Sequence, residues 1–440
     1  MSDAQFRLLT GSADQPLISF EEYRRSGGYT ALQKALSSLQ PENVRDEIEA
    51  SRLRGRGGAG VLTAEKLKLA ARSDEAVKYV VCNAYDADPR SRISETLLAR
   101  NPHVIIEGLA LAAYAIGARE GFLYMRGGNP QLAETVKHAL QEAKSHGAIG
   151  NNMFGSSFDF AVTQVGVEIG FMGGEESTLL QVLGGRPAKA QQRPPYPTEY
   201  GLQNKPTIVL NSETVANLPV IVARGGDTFS GSSNGTSSGT KLFTILGPAT
   251  GERNGTVVEV PFGATVADAL QAAGVTVSET TARGFSIGGM EGGAFPLSGL
   301  NTVLDFETIE QAGSILGSSI IEVIPTGTCM VRWAMDRMDY LSRASCGKCV
   351  PCRVGVKRMA GTLQGIVSDI GKESDLALLE EFSHYVPDGS LCGFGVSAVH
   401  PVTTTMKFFA DEYTAHLEGR CPTGTCQPVR THRYATKHVL

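Results

Sequence analysis

Lys78-Tyr-Val-Val-Cys82 is the stretch on which the fold turns. Four of its five residues form an unbroken apolar run, the pattern of a strand covered on both faces rather than one with a wet side. Residues 121–125 (GFLYM) and 207–210 (TIVL) are of the same type. Helical patterns lie between them, at 104–118 and 130–144. Buried strands alternating with helices predict an α/β region running to about Arg224, built on a largely parallel sheet. Cys82 closes the first strand and reads as core.

Beyond this region, residues 225–240 (GGDTFSGSSNGTSSGT) read as a loop or linker. Their Asn234-Gly-Thr, like Asn254-Gly-Thr, is a formal glycosylation sequence and a chance match in an intracellular chain. Strand patterns at 241–247, 256–260 and 319–324, with a helix at 266–273, predict a small α+β unit of β-grasp-like type. From Cys329 onward the patterns are helical, at 330–342, 355–370, 375–386 and 396–417, before a polar tail. The expected divisions are therefore 1–240 with N-terminal helices, 241–328, a helical 329–420, and a tail at 421–440.

A net charge of −5 with no basic stripe excludes a nucleic-acid binder. The start shows no basic-then-apolar leader pattern. No run of about 18 uncharged apolar residues occurs, and the best approach to one, at 104–118, holds Glu107. A cytoplasmic protein is expected, with any membrane association supplied by partners.

The eight cysteines fall in groups, which in a reducing compartment points to metal ligands before disulfides. Ser345-Cys-Gly-Lys-Cys-Val-Pro-Cys-Arg353 offers three thiolates, Cys346, Cys349 and Cys352, at a strict three-residue spacing. Such a loop can reach three corners of an iron–sulfur cubane. Cys392, between glycines in Gly389-Ser-Leu-Cys-Gly393, is the natural fourth ligand, and Lys348 and Arg353 offset cluster charge. The competing reading is a zinc knuckle, which three cysteines this close suit less well. Cys329, His416, Cys421 and Cys426 form a second candidate set, because His-x₄-Cys-x₄-Cys is near zinc-ligand spacing. The plainer alternative is a buried thiol at Cys329 and free cysteines in the tail.

Arg54-Gly-Arg-Gly-Gly-Ala-Gly60 can bring backbone N–H groups against a phosphate. Alone it is a weak signal. In order with Val81-Cys-Asn-Ala84, Gly173-Gly-Glu-Glu-Ser177, Leu210-Asn-Ser-Glu-Thr214 and the cysteine loop, however, it resembles the NADH-oxidising flavoprotein subunit of respiratory complex I. Relatives of that protein occur in NAD-linked hydrogenases, formate dehydrogenases and electron-bifurcating complexes. The resemblance spans about residues 28–426. It implies a Rossmann-like FMN domain, a β-grasp domain and a helical [4Fe–4S] domain. It places FMN contacts on Gly55, Arg56, Gly57, Lys66, Asn83, Asp86, Gly174, Glu175, Glu176, Asn211 and Thr214. Lys66 would be a cation near the ring or phosphate, Asn83 a hydrogen-bond partner of the flavin, and Glu176 a wall of the nicotinamide pocket. It implies partners too: a thioredoxin-like [2Fe–2S] subunit and a larger catalytic or iron–sulfur subunit. The second cysteine set resembles the zinc site of the bifurcating-hydrogenase branch.

Departures from the family pattern gather at the dinucleotide pocket. Val61 and Leu69 stand where aromatic rings are usual, and an aliphatic side chain gives up ring stacking. Tyr85 replaces an Asp, Asp86 and Asp88 replace Glu, Arg90 and Gly173 replace a Gly and a Cys, and Leu210 and Arg193-Pro-Pro-Tyr196 also differ. A bulky Tyr85 and a cationic Arg90 are expected to reshape or block the nicotinamide site. Two functions therefore compete. The first passes electrons between NAD(H) or NADP(H), FMN and the cluster, with no side-chain acid or base required. The second is a degenerate relative that transfers electrons without NAD(P)H, or serves as a scaffold.

Overall fold

The computed structural model describes residues 7–9, 16, 18–231, 237–247 and 255–426. Asn234, Asn254 and the tail beyond residue 426 lie outside the described residues. Four strands, β1 (Tyr79–Ala84), β2 (Glu120–Arg126), β3 (Ala161–Val167) and β4 (Thr207–Asn211), form one sheet in the order β3-β2-β1-β4. Every pairing in it is parallel, with Val80 opposite both Gly121 and Ile208. Both faces are covered. On one side, helices Phe20–Arg25, Thr30–Ser38, Pro41–Ala50, Thr63–Ala71, Pro102–Ile116, Pro130–Ser145 and Ser212–Arg224 build the largest core. On the other, helix Glu176–Leu183 packs with Val81, Tyr85, Tyr124 and Val209. Helix Pro102–Ile116 is buried almost all round. Its Glu107 is made tolerable there by hydrogen bonds from Tyr23 Oη (2.5 Å), Tyr29 N (2.8 Å) and Leu32 N (3.1 Å), as a buried carboxyl requires.

A second sheet of five strands, β5 (Thr240–Leu246), β6 (Thr256–Pro261), β7 (Ala282–Ile287), β8 (Gly293–Pro296) and β9 (Ile320–Pro325), has the order β6-β5-β9-β7-β8. Only β5–β9 is parallel. Its core takes residues from helices Val266–Ala272 and Phe306–Gln311. A third core gathers helices Met330–Ala344, Lys357–Val367, Glu373–Asp388, His400–Phe408 and Ala410–Leu417.

Three sequence expectations are corrected. The helix expected over 396–417 is broken into Gly393–Ser397, His400–Phe408 and Ala410–Leu417. Pro401, lacking an N–H, belongs to the first turn of a new helix rather than to a continuing one. The 225–240 stretch is not a loose linker in its described parts: Gly226–Ser230 is a helix, and Ser237, Ser238 and Thr240 are buried. Strand β3 was not anticipated, because at the sheet edge it is only half covered and carries no continuous apolar run.

Candidate functional site

In an open α/β sheet the ligand crevice lies beyond the carboxyl ends of the strands where the connection order reverses. Here that place is between β1 and β4. A cavity of about 460 Å³ opens there, and all eleven residues expected to contact a flavin line it.

The glycine loop follows helix Pro41–Ala50 and is pinched shut at its base, where Gly55 N donates to Val61 O at 2.8 Å. Arg54 anchors it from outside by Nε to Gly60 O (2.7 Å), an ion pair with Glu307 and a stack on Phe306. Gly58 has φ +107°, and a Cβ there would stand 2.9 Å from Gly317 O, so the loop presses directly on the second sheet unit. Arg56 N donates to Thr214 Oγ1 at 2.8 Å, tying the loop to the helix that leaves β4. The guanidinium of Arg56 is buried, and it donates to Arg54 O (3.0 Å) and Ser238 O (2.6 Å). Burial lowers its pKa to about 10.

From β1, Asn83 Nδ2 donates to Gly174 O at 2.9 Å, and the Asp86 carboxylate accepts from Ser94 N (2.8 Å) and Ser94 Oγ (2.9 Å). From β4, Asn211 caps helix Ser212–Arg224 by accepting from Glu213 N at 2.9 Å. Glu175 caps helix Glu176–Leu183, accepting from Thr178 N at 2.8 Å. Two helix N-termini therefore converge on the cavity with their anion-favouring ends. Across its mouth runs an ionic chain: Lys66 to Glu176 (2.6 Å), and Arg193 to both Glu175 and Glu176 (3.0 Å each). Arg193 lines the cavity and had not been singled out as a flavin contact. Its sequence signal was the departure from lysine.

Two departures turn out to lie elsewhere. Tyr85 does not line this cavity. Its ring is buried against Tyr124, and its hydroxyl accepts from Ile169 N (3.1 Å) and donates to Gly170 O (3.2 Å). Gly173 makes the room, since a Cβ there would stand 2.8 Å from the ring. Arg90 is likewise outside, spent on Asp88 (3.1 Å) and Glu322 (2.8 Å). Neither side chain therefore fills this cavity, although Tyr85 packs behind Gly174 in its wall. Val61 does line the cavity, and it and Leu69 are exposed at 44% and 48%.

The far wall of the same cavity is made by Gly393, Phe394, Val396 and Ser397, the helix that begins directly after Cys392. Around Cys392 the chain closes on the cysteine loop. A Cβ on Gly389 would stand 2.5 Å from Pro351, and one on Gly395 3.4 Å from Cys352. Burial, helped by the neighbouring thiols Cys349 and Cys346, pushes Cys352 up to about 11. Burial, helped by Glu175 and Cys346, pushes Cys392 up to about 12. Four thiols on these two facing segments are the donor type an iron–sulfur cubane takes.

The second set is tighter. The ligand atoms of Cys329, His416, Cys421 and Cys426 all lie within 4.8 Å of one another. His416 Nε2 is 3.5 Å from both Cys329 Sγ and Cys426 Sγ, while Nδ1 faces Glu412 O at 2.7 Å. That carbonyl accepts the Nδ1 proton and leaves Nε2 free as a ligand. Burial opposes ionisation of Cys421, yet hydrogen bonds from Thr423 and the backbone bring it down to about 5, so it is ready to bind as a thiolate.

A parallel sheet with a helix-capped cleft, walled on one side by the helix that follows Cys392, is the architecture of an iron–sulfur flavoprotein. Comparison with known proteins makes this specific. Residues 48–220 match the Nuo51 FMN-binding domain, and residues 332–416 match the NADH-ubiquinone oxidoreductase-F iron-sulfur binding region. The chain is 36% identical to the NADP-reducing hydrogenase subunit HndC of Solidesulfovibrio fructosivorans, over 94% of this chain and 84% of that one. It is 30% identical to the corresponding NADH-quinone oxidoreductase component of Escherichia coli, over 92% and 91%. Among solved structures, NAD+-reducing [NiFe]-hydrogenase in the H2-reduced state aligns with a TM-score of 0.79 at 26% identity, covering 94% of this chain and 67% of that one. The protein belongs to the family of FMN- and [4Fe–4S]-carrying NADH oxidoreductase subunits. Among the described residues no helix is long and apolar enough to cross a membrane.

Proposed function

We propose that this chain moves electrons between NAD(P)H, FMN and a [4Fe–4S] cluster on Cys346, Cys349, Cys352 and Cys392, and on to partner subunits. The observation that carries this is one cavity with the glycine loop at one wall and the helix after Cys392 at the other. Bound FMN supplies the conversion of a hydride pair into single electrons, which no side chain can do. The residues around it hold and orient. Gly55, Gly57 and Gly174 let backbone approach the ligand, and Arg56, Asp86, Asn211 and Thr214 brace the loop and the helix end against which a phosphate would sit. Lys66 supplies a cation, Asn83 a side-chain amide beside the ring, and Glu175 and Glu176 the wall facing the nicotinamide.

The order β6-β5-β9-β7-β8 supports a β-grasp-like unit, and the separate cores support the divisions 1–240, 241–328 and 329–420, while a tail from 421 to 440 rests on the sequence, since Cys421 and Cys426 pack with the helical core. We place zinc at Cys329, His416, Cys421 and Cys426, where three sulfurs and one nitrogen suit a closed tetrahedral site. The relatives are subunits of larger assemblies, and this chain needs partners of that kind to receive its electrons. That need is met by a thioredoxin-like [2Fe–2S] subunit and a larger catalytic one, in the cytoplasm or at a membrane through those partners. The exposed aliphatic Val61 and Leu69 favour a second reading, in which the stacking that holds NAD(P)H is lost and electrons come only from proteins.

The visible spectrum of the full chain, prepared anaerobically, separates the two. Flavin bands that bleach on adding NADH or NADPH are expected. Cys392→Ser should lower the iron content while the flavin remains. Bands that ignore both nucleotides and bleach only with dithionite would establish the second reading, and a preparation without flavin or iron would overturn both.

A further inference from the structure

Glu291 is a carboxyl in the wall of the flavin cavity that neither the family pattern nor the proposed electron path uses. It ends the short 3-10 turn Gly289–Glu291 between β7 and β8 and is buried, with 8% exposure. It lines the cavity beside the helix that follows Cys392. Among the described residues no cation pairs with it. Its one side-chain partner is Ser397 Oγ, 3.0 Å from Oε1. Ser397 Oγ also lies 2.7 Å from Gly393 O, one turn back along its own helix. A hydroxyl has a single proton. Given to the nearer Gly393 carbonyl, it leaves the Ser397–Glu291 contact to be made by a proton on the carboxyl.

The surroundings favour that neutral form. Asp88 stands behind the turn, its Oδ2 accepting from Met290 N at 2.8 Å, and Arg90 neutralises Asp88. Arg337 is spent on Glu322 and reaches only the Met290 sulfur, at 3.6 Å. His400 bonds the backbone of Glu291, and burial holds its imidazole neutral, with a pKa near 4. Burial above all raises the Glu291 carboxyl to about 8.

We propose that Glu291 is a redox-linked proton site: it binds a proton when negative charge enters the cavity on the flavin and releases it when the electrons leave. The proposal rests on the flavin occupying this cavity. Hydride transfer from NAD(P)H breaks a C–H bond of the nicotinamide and adds two electrons and one proton to a neutral ring system, leaving one negative charge. That charge disfavours a second one nearby. Where Glu291 is ionised beside the oxidised flavin, reduction draws one proton from solvent and forms the carboxyl O–H bond. As the two electrons pass to the cluster and on to partner subunits, the flavin gives up its own proton, the O–H bond of Glu291 breaks, and both protons return to solvent.

The sign of the effect follows. At low pH Glu291 is neutral in both redox states and leaves the flavin potential alone. As pH rises through its ionisation, the anion opposes reduction and the potential falls faster than it would without the group. Potentiometric titration of the flavin in the full chain, from well below to well above that pH, tests this against Glu291→Gln. The expected result is two curves that coincide on the acid side and part on the alkaline side, the wild type lying lower. Bound flavin whose curves stay parallel throughout overturns the proposal alone, whereas absence of flavin overturns the reading of the cavity as well. Should the variant not fold, reduced-minus-oxidised infrared spectra of the wild type near the ionisation pH decide. A protonated-carboxyl C=O band that grows on reduction supports the proposal, and its absence overturns it.

Discussion

At the residue scale, substitutions that looked alarming in sequence are explained by partners distant in the chain. Tyr85 in place of a small acid would crowd any site it entered, yet its ring lies behind the cavity in space left by Gly173. The two departures are one change made twice. A side chain at 173 must therefore collide with a ring held by two hydrogen bonds and by Arg126 stacked 5.0 Å over it. Overpacking of this kind costs about 1–3 kcal/mol. Gly173→Cys, which restores the usual family residue, should destabilise the protein by that amount in urea unfolding. In a Tyr85→Ala background most of the cost should disappear, because contacting residues are not additive. An equal cost in both backgrounds would refute the pairing. Position 173 could be flagged from sequence as a departure, but the compensation could not, since nothing local links it to 85.

Elements were legible wherever burial leaves a regular apolar pattern, continuous in a covered strand and one-faced in helix Pro130–Ser145. β1, β2 and β4, covered on both faces, announce themselves as apolar runs, and helices Pro102–Ile116 and Pro130–Ser145 were found within two residues at each end. The half-exposed β3 was not seen, for the opposite reason, whereas the β7–β8 hairpin is buried but its apolar residues are interrupted by Gly284, Gly288, Gly289, Gly292 and Gly293, so no apolar run marks it. The cysteine sets were visible because ligand chemistry restricts residue type more than it restricts neighbours. The last helix, Ala410–Leu417, shows why the second set matters: its described continuation to Cys426 contains no further helix or strand, and the helix itself is only eight residues long. Short helices are marginal without tertiary anchors. With zinc bound, the segment from 410 to 426 is pinned to Cys329 at the start of helix Met330–Ala344. Stripping the metal with a chelator, or replacing Cys426 with Ser, should raise amide hydrogen exchange across 410–426 and leave β1 and β2 protected. One equivalent of zinc by elemental analysis is the companion expectation. A metal-free chain with the same protection would remove zinc from this site.

At the scale of the whole molecule, three cores meet around one cavity, so its shape depends on how they are locked together. The lock is ionic. Glu322 on β9 accepts both Arg90, from the loop after β1, and Arg337, from helix Met330–Ala344, joining all three units through one carboxylate. Arg337 is further stacked over Trp333 at 4.3 Å. Burial lowers the Arg337 pKa while Glu322 opposes that shift, so the carboxylate is what keeps the guanidinium charged out of water. Removing one partner of a buried pair costs about 3–5 kcal/mol, because the other charge is stranded. Both Glu322 and Arg90 are about one-fifth exposed, which places Glu322→Gln toward the lower end. None of the three residues lines the cavity. Glu322→Gln should nonetheless weaken FMN retention on dilution and lower the unfolding midpoint together, since the glycine loop and the wall after Cys392 belong to units this carboxylate joins. Flavin affinity unchanged in a measurably destabilised variant would mean that the first α/β unit holds the cofactor alone. A loss of both would make the three-way junction part of the binding site, although no residue in it faces the ligand.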